Sequence, residues 1–556
     1  MRKRSQRGFS AVEVLLAATV FGLLVSALIG AIIYGRQSTA NAGDRGRANL
    51  LAEEGLEAVR NIRNANYANI SNGTFGLTNS SGVWNFSGTS DTTDIYTRQI
   101  TITDNGADRK VISSRVTWTT SGQARETVVT TQLTNWLAAI TPPAPTSGPI
   151  MMAYSKTTNT PFYRTWDGSS WSAEGSAMTV GGNINYIVVK SSSIRNETVL
   201  GTQDASGAIY FQVWNGTSWG NRTQVGTGPA TTRSFDISYE NTTGRAIIAY
   251  SAGADFAYRI WDGSTLSTAT TITAPPTTGA INWIELQQNP LNASNEIALL
   301  LLDANADVYG MRWTGSAWNN MGAATVWDAT ASSAARKGID IEYEQSSGHI
   351  LFAWGDSVST DMQYRTWNGT TLSAATLLDI PAMLIANWVQ MAARPGSDEI
   401  MLGIQDSGGG LNTRKWSGTA WDTATQHPEH DTATENVASR NFDVIWETYS
   451  TNLGKAWLTW GDGATRTDRQ WSATAWGTAT VASGSDDTSF VRLRADPVSG
   501  AVFSGVYQCS CSATAARDIN ERRLVNGGAT WSGSTQMWGG PTTVDPVHFR
   551  VDITMP

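Results

Sequence analysis

Histidine and cysteine are nearly missing from this 556-residue chain, which has four of one and two of the other. Two cysteines exclude a disulfide scaffold and the usual cysteine-based zinc motifs. Four histidines leave little material for imidazole catalysis. Charge is sparse as well: 15% of residues are Asp, Glu, Lys or Arg, against about 25% in ordinary soluble domains. A basic surface is also lacking. There are 39 basic and 47 acidic residues, and Arg2, Lys3, Arg4 and Arg7 all fall in the first eight positions. Charge-driven binding of nucleic acid needs a basic face to release counterions, so none is expected. Tryptophan, by contrast, is abundant at 24 residues. The length suits two to four domains, and the composition points to contact rather than turnover, with no cofactor and no metal expected.

Long apolar runs are absent except at the start. From Val14 to Gly35 no residue is charged, a stretch long enough to span a bilayer as a helix. The basic residues before it place its start in the cytoplasm, and hence the body of the protein outside. Glu13 is the oddity, an acid inside the apolar stretch, where ionisable groups are costly and usually have a partner. Gly8-Phe9 followed by Glu13 resembles the class III signal of type IV prepilins. That resemblance implies cleavage by a prepilin peptidase between Gly8 and Phe9 and N-methylation of the new Phe9 amine. It also implies pairing of Glu13 with the Phe9 amine of a neighbouring pilin subunit. The alternative is a signal anchor that happens to carry a Glu near the interface.

The helical pattern continues beyond the membrane, placing Leu51, Leu56 (with Gly55), Val59 and Ile62 near one face. Gly22, Gly30, Gly35, Gly43 and Gly46 are expected to weaken or bend this rod. The stretch Leu50–Arg63 is similar to PilV-type minor pilins. Three alternating segments follow, Ile95–Ile102, Val111–Trp118 and Glu126–Leu133, with turn signals at Asp104-Asn105-Gly106 and Ser121-Gly122. They read as an antiparallel meander. A long helix on a small sheet is the pilin plan, an α+β domain. The expected boundaries are a leader over 1–8, the assembly helix over 9–63, the pilin sheet region over 64–140 and a proline-rich linker over 141–149.

After the linker, over 150–556, one motif repeats. Trp166-Asp-Gly-Ser-Ser-Trp171 recurs with anchors at Trp214, Trp261, Trp313, Trp367, Trp416 and Trp471, and in a decayed copy near Leu524. Each copy reads as four strands, in the fourth copy Ile281–Gln288, Glu296–Asp303, Val308–Trp313 and Ala317–Gly322. Asn/Asp-Gly between the tryptophans suits a tight hairpin. Units of this length, repeated eight times, predict an all-β eight-bladed propeller. The first unit lacks its first strand, and His548–Thr554 matches what is missing, so the C-terminal strand is expected to close the ring. First strands alternate between a Phe/Ile-Asp type (Asp236, Asp340, Asp443) and an Asn/Ser-aromatic type (Trp283, Trp388, Phe490), which suggests four pairs of blades and two classes of groove between them.

Arginine recurs two residues before the anchor: Arg164 with Trp166, Arg259 with Trp261, Arg365 with Trp367, Arg414 with Trp416 and Arg469 with Trp471. Gln212 and Met311 break the pattern. Residues i and i+2 of a strand share a face, and a planar cation beside an aromatic ring suits a sugar, with stacking on the ring and hydroxyls on the guanidinium fork. The hairpins are weakly similar to those of fungal fucose-binding propeller lectins. These ten residues are therefore candidate ligand contacts for an extracellular glycan or protein. The competing reading makes each Arg an inter-blade ion pair with Asp236, Asp340 or Asp443, and each Trp a blade-on-blade packing residue.

Catalytic and metal signals are weaker. The Ser-x-Asp-x-Gly-x-Thr-Trp order of the sialidase Asp-box is absent, and no spacing nominates the two carboxylates of a glycosidase. Asp303-Ala-Asn-Ala-Asp307 begins like a calcium loop but lacks the Gly at six and the Glu at twelve. His427-Pro-Glu-His430-Asp431 reads as solvated surface. Cys509-Ser-Cys511 fits either a strained disulfide or two thiols. The resulting expectation is a minor pilin, inserted in the cytoplasmic membrane and then carried to the pilus or cell surface, displaying a propeller for adhesion. The rivals are a minor pilin or pseudopilin that primes filament assembly, and a surface-held enzyme acting on glycans.

Overall fold

The structure is a computed structural model. It describes residues 10–134 and 150–554, except 66, 81, 106–108, 121, 157, 274–276, 435–436, 449–452, 463–464, 483–487, 497–499, 509–516, 525–530, 534 and 541–550. Gly8, Phe9, Cys509, Cys511 and residues 548–550 thus lie outside the described residues. The chain divides into two compact units, Met1–Ala144 and Pro145–Pro556.

In the first unit one helix, Ala11–Ala65, runs unbroken through all five glycines that the sequence offered as weak points. Its two halves differ. Residues 11–40 are exposed throughout, and this helix is long and apolar enough to cross a membrane. In the second half Ala48, Ala52, Gly55, Leu56, Ala58, Val59 and Ile62 are buried, close to the expected stripe. Small residues on that stripe bring helix and sheet together. A Cβ on Gly55 would stand 2.7 Å from Ser114 Oγ and 2.9 Å from Ile100 Cδ1.

The sheet contains the expected meander as Tyr96–Asp104, Arg109–Thr120 and Gln123–Thr134. Three strands that the alternation did not single out extend it: Gly73–Ser80, Val83–Ser87 and the short Asp91–Thr93. Arg98 ties helix to sheet. It is buried, donates to the Leu51 carbonyl at 3.0 Å, and pairs with Glu54 at 3.0 Å and Asp91 at 2.8 Å.

The second unit is almost entirely β, built of small antiparallel sheets in the manner of a β-propeller. Among the described residues there are eight, numbered here by first strand: Val551–Thr554 (first), Ile184–Ser191 (second), Phe235–Tyr239 (third), Ile281–Gln288 (fourth), Ile339–Tyr343 (fifth), Ala386–Ala393 (sixth), Phe442–Trp446 (seventh) and Thr488–Ala495 (eighth). Seven have four strands, and the sixth has three. The first sheet joins the first and last described strands of the second unit, since Val551–Thr554 pairs antiparallel with Ile150–Ser155. The fourth sheet matches the expected strands to within a residue or two (Ile297–Asp303, Val308–Trp313, Trp318–Asn320).

The alternation of first strands has a structural counterpart. In each even sheet the register shifts by one residue, between Ile184 and Tyr186, Ile281 and Trp283, Ala386 and Trp388, and Thr488 and Phe490. Such a bulge re-aims a side chain. Tyr186, Trp283 and Trp388 then meet edge to face, with ring centroids 6.4 and 5.9 Å apart. In each odd sheet an aspartate reaches the next sheet: backbone N–H groups of Val189, Leu286, Met391 and Leu493 donate to Asp552, Asp236, Asp340 and Asp443 at 3.0, 2.9, 2.5 and 2.9 Å. Cations accompany these acids. Arg233 pairs with Asp236 and Glu285, Lys337 with Asp340 and Glu285, Arg440 with Asp443, and Arg492 with Asp552. A buried carboxylate without such partners would cost several kcal/mol.

Candidate functional site

The repeated hairpins owe their shape to the residue after each anchor tryptophan. Asp167, Asn215, Asp262 and Asn368 each turn a side-chain oxygen back onto two backbone N–H groups of their own loop at 2.7–3.1 Å. Ser417 does the same with its hydroxyl. Glycine next in line takes φ of +90 to +99° in all five of these turns, at Gly168, Gly216, Gly263, Gly369 and Gly418, a backbone that side chains disfavour. The backbone N–H bonds and neighbouring hydroxyls hold Asp167 and Asp262 far below the ordinary carboxylate range. These acids make turns, and their oxygens are occupied.

The five candidate tryptophans are interior residues. Trp166, Trp261, Trp367, Trp416 and Trp471 are between 0 and 9% exposed. Several anchor indoles are tied to a preceding sheet: Trp261 donates to Glu197 at 2.9 Å, Trp313 to Glu240 at 2.6 Å and Trp416 to Glu344 at 2.8 Å. Where an odd sheet precedes an even one, a tyrosine packs against the tryptophan pair, as Tyr163 does on Trp214 and Trp219, Tyr258 on Trp313 and Trp318, and Tyr364 on Trp416 and Trp421.

The arginines divide. Arg164 donates to the carbonyls of Ser172 and Met537. Arg414 is buried and donates to those of Thr413 and Asp379. Arg469 donates to the Gly477 carbonyl and to His430, both at 2.9 Å. Among the described residues Arg259 has no hydrogen-bond or ion-pair partner, and Arg365 touches only the ring of Trp327, 5.2 Å from its centroid. In both, Nε is buried without a partner. Burial lowers the pKa of Arg365, with no carboxylate to offset it. The expected pairing of each Arg with its own Trp does not occur among the described residues: Arg523 lies over Trp166 and Arg312 over Trp367. The ion-pair alternative also needs correcting. Asp236, Asp340 and Asp443 take the first-strand cations described above, because register puts those, not the anchor arginines, beside them.

At the two exceptions to the arginine pattern, Gln212 clamps both the N–H and the carbonyl of Met178 at 2.8 Å. Met311 instead forms part of a groove of about 490 Å³ with Thr271–Thr273 and Trp318–Asn320, between the third and fourth sheets.

The other motifs are accounted for locally. Asp303 accepts four backbone N–H bonds, from Thr278, Gly279, Asn305 and Asp307. Its oxygens are therefore occupied by the turn, and no metal-holding cluster occurs among the described residues. The His427–Asp431 stretch is solvated only in part. Asp431 pairs with Leu411 of the sixth sheet's third strand, and His427 is buried and stacked on Trp471 at 4.8 Å, whereas His430 and Asp431 are half-buried and Pro428 and Glu429 are exposed. At the helix start, Glu13 accepts from the Ser10 N–H at 2.9 Å, and Ser10 Oγ accepts from the Glu13 N–H, a capping box.

No protein family matches the chain, and no curated protein does. Solved structures of low similarity do. AofleA from Arthrobotrys oligospora is 12% identical at a TM-score of 0.36, over 66% of this chain and 93% of that one. The lectin of Aleuria aurantia, described as a six-bladed β-propeller with a novel mode of fucose recognition, is 14% identical at a TM-score of 0.30, over 56% and 89%. Apo AztD from Citrobacter koseri is 9% identical at 0.41, over 73% and 98%. At such values the site has to be judged on its own geometry.

Sequence reasoning missed the glutamates. Glu240, Glu344 and Glu447 each follow an aromatic residue at the end of an odd first strand (Tyr239, Tyr343, Trp446). That recurring aromatic-Glu pair was the available signal.

Proposed function

We propose that the chain is a minor type IV pilin that carries an eight-bladed propeller, closed by its own C-terminal strand, outside the cell as a binding module for a glycan or protein. What supports the pilin half is the division of the single helix Ala11–Ala65. Its stretch from Val14 to Gly35 is uncharged and exposed, and its last third is packed on a small sheet, as a subunit held first by the inner membrane and then by other pilins requires. In this reading prepilin peptidase trims the chain at Gly8, and Glu13 exchanges its capping role for the Phe9 amine of a neighbouring subunit. A repeat module of some 400 residues would crowd a tightly packed filament, so the protein sits at the tip in few copies.

The single observation that carries the binding half is the pair Arg259 and Arg365, cations half-buried at the anchor hairpins without a carboxylate. A guanidinium in that state suits hydroxyl or carboxylate oxygens of a ligand. The hairpin acids are engaged in their own turns, so the reading assigns binding rather than catalysis. N-terminal sequencing of the mature protein from sheared pili tests the first half: the reading expects Phe9 as the first residue, and a start at Met1 overturns it. A glycan array on the full chain in detergent tests the second.

A further inference from the structure

Two of the chain's four histidines sit in one hydrogen-bonded chain, buried at Thr413 and His427 and half-buried at Asp422, His430 and Arg469, at the sheet with three strands among the described residues. Arg469 Nη1 lies 2.9 Å from His430 Nδ1, His430 Nε2 lies 2.8 Å from Thr413 Oγ1, Thr413 Oγ1 lies 2.8 Å from His427 Nδ1, and His427 Nε2 lies 2.7 Å from Asp422 Oδ2. Trp476 Nε1 adds a contact to His427 Nδ1 at 3.2 Å. The ends of the chain assign every proton. A guanidinium only donates and a carboxylate only accepts. His430 therefore accepts at Nδ1 and donates from Nε2 to the threonine oxygen. The threonine hydroxyl donates to Nδ1 of His427, which donates from Nε2 to Asp422. Both imidazoles are neutral in this arrangement, and each group has a partner of the opposite kind.

The chain crosses between two sheets. Thr413, Asp422, His427 and His430 belong to the sixth sheet and its following segment, while Arg469, Trp471 and Trp476 belong to the seventh. His427 stacks on Trp471, and His430 meets the edge of Trp476 with centroids 4.9 Å apart. We propose that this chain is an acid-sensitive latch between the sixth and seventh sheets, closed while both histidines are neutral and opened when His430 takes a proton. The added proton goes to Nδ1, where it faces the Arg469 guanidinium, donor against donor and cation against cation. A proton on His427 Nδ1 meets the indole N–H of Trp476, which cannot turn away. Opening the latch also releases Arg469 from its neutral-pH acceptor.

The surroundings favour the neutral state. Burial first, and the Arg469 charge after it, push the His430 pKa well below its ordinary value. The nearby charges are Asp422, Arg414, Asp431, Glu429, Asp406 and Asp462. Asp431 accepts from Trp460 Nε1 and the Ala433 N–H, and Asp406 accepts from three backbone N–H groups. Glu429 and Asp462 are raised by burial and by neighbouring acids, so they too bind protons in mild acid, and the test has to separate them from the histidines.

Hydrogen–deuterium exchange on the full chain in detergent makes that separation, with rates corrected for intrinsic pH dependence and compared at about pH 7.5 and about pH 5. Wild type should lose about tenfold or more of its protection at low pH in peptides from 411–434 and 465–477, the loss that one pH unit below a titration brings. Peptides from 297–313 and 350–367 should not change. His430→Gln can accept from Arg469 and donate to Thr413 without titrating, and it keeps Glu429 and Asp462. Its protection should stay within about twofold between the two pH values. Equal wild-type protection at both pH values overturns the latch, as does an acid loss in His430→Gln matching the wild type. Should His430→Gln fail to fold at neutral pH, the double variant Glu429→Gln, Asp462→Asn, which keeps both histidines, decides: its acid loss should match the wild type, and disappearance of the loss, or uniform loss in both sets of peptides, contradicts the proposal.

Discussion

Two layers of cations in the second unit are treated oppositely. At the first strands Arg233, Lys337, Arg440 and Arg492 each lie against one or two carboxylates. At the anchor hairpins Arg164, Arg414 and Arg469 bond carbonyls or a histidine, and Arg259 and Arg365 have no polar partner among the described residues. Buried ion pairs with removed partners are costly, whereas half-buried cations keep access to water or a ligand. The cations at the first strands hold sheets together. Those at the hairpins include two that stay available.

The comparison predicts a ranking of effects. Deleting residues 549–556 removes the strand on Ile150–Ser155 together with Asp552, and should cost on the order of 5 kcal/mol or more in thermal melts. An unchanged melting temperature would show that the strand pairing contributes nothing. Asp443→Ala strands Arg440 beside Arg492 and should cost about 3–5 kcal/mol, while a loss as small as that of an exposed substitution would dissolve the contrast between layers. Trp416→Phe keeps the ring but leaves a Glu344 oxygen without its indole donor, at about 1–3 kcal/mol.

Glu342, in the first strand of the fifth sheet, offers a pH test of the contacts at the first strands. Burial raises its pKa from 4.5 to about 8. The folded chain thus keeps a proton that the unfolded chain releases, and stability falls as pH rises through that window. Glu342→Gln should flatten this part of the stability–pH curve, and an unaltered slope would place the titration elsewhere.

Much of this architecture was legible in the chain. The seven described anchor hairpins, the alternation of first strands and the pairing segment at the C-terminus rest on local chemistry: Asn/Asp-Gly turns, β-branched runs, and Asp236, Asp340 and Asp443 at one spacing, while the loop of the eighth hairpin lies outside the described residues. The helix stripe was legible for the same reason, since Leu56, Val59 and Ile62 follow helical periodicity. The site was less so. Which arginine is available depends on what the neighbouring sheet offers it, and those partners are distant in sequence, 39 residues for His430 and Arg469 and 373 for Met537 and Arg164. The His427–Asp431 stretch misled because its polarity suggests water. The burial of His427 follows from its stacking on Trp471 of the next sheet, which no local pattern announces.

The most direct test of the account is the double substitution Arg259→Gln, Arg365→Gln in the full chain, read by glycan array and by thermal melting together. The account predicts that a glycan bound by the wild type is lost while the melting temperature holds, each change costing within about 0.5 kcal/mol. Retained binding, or loss of binding only in step with loss of the fold, would contradict it.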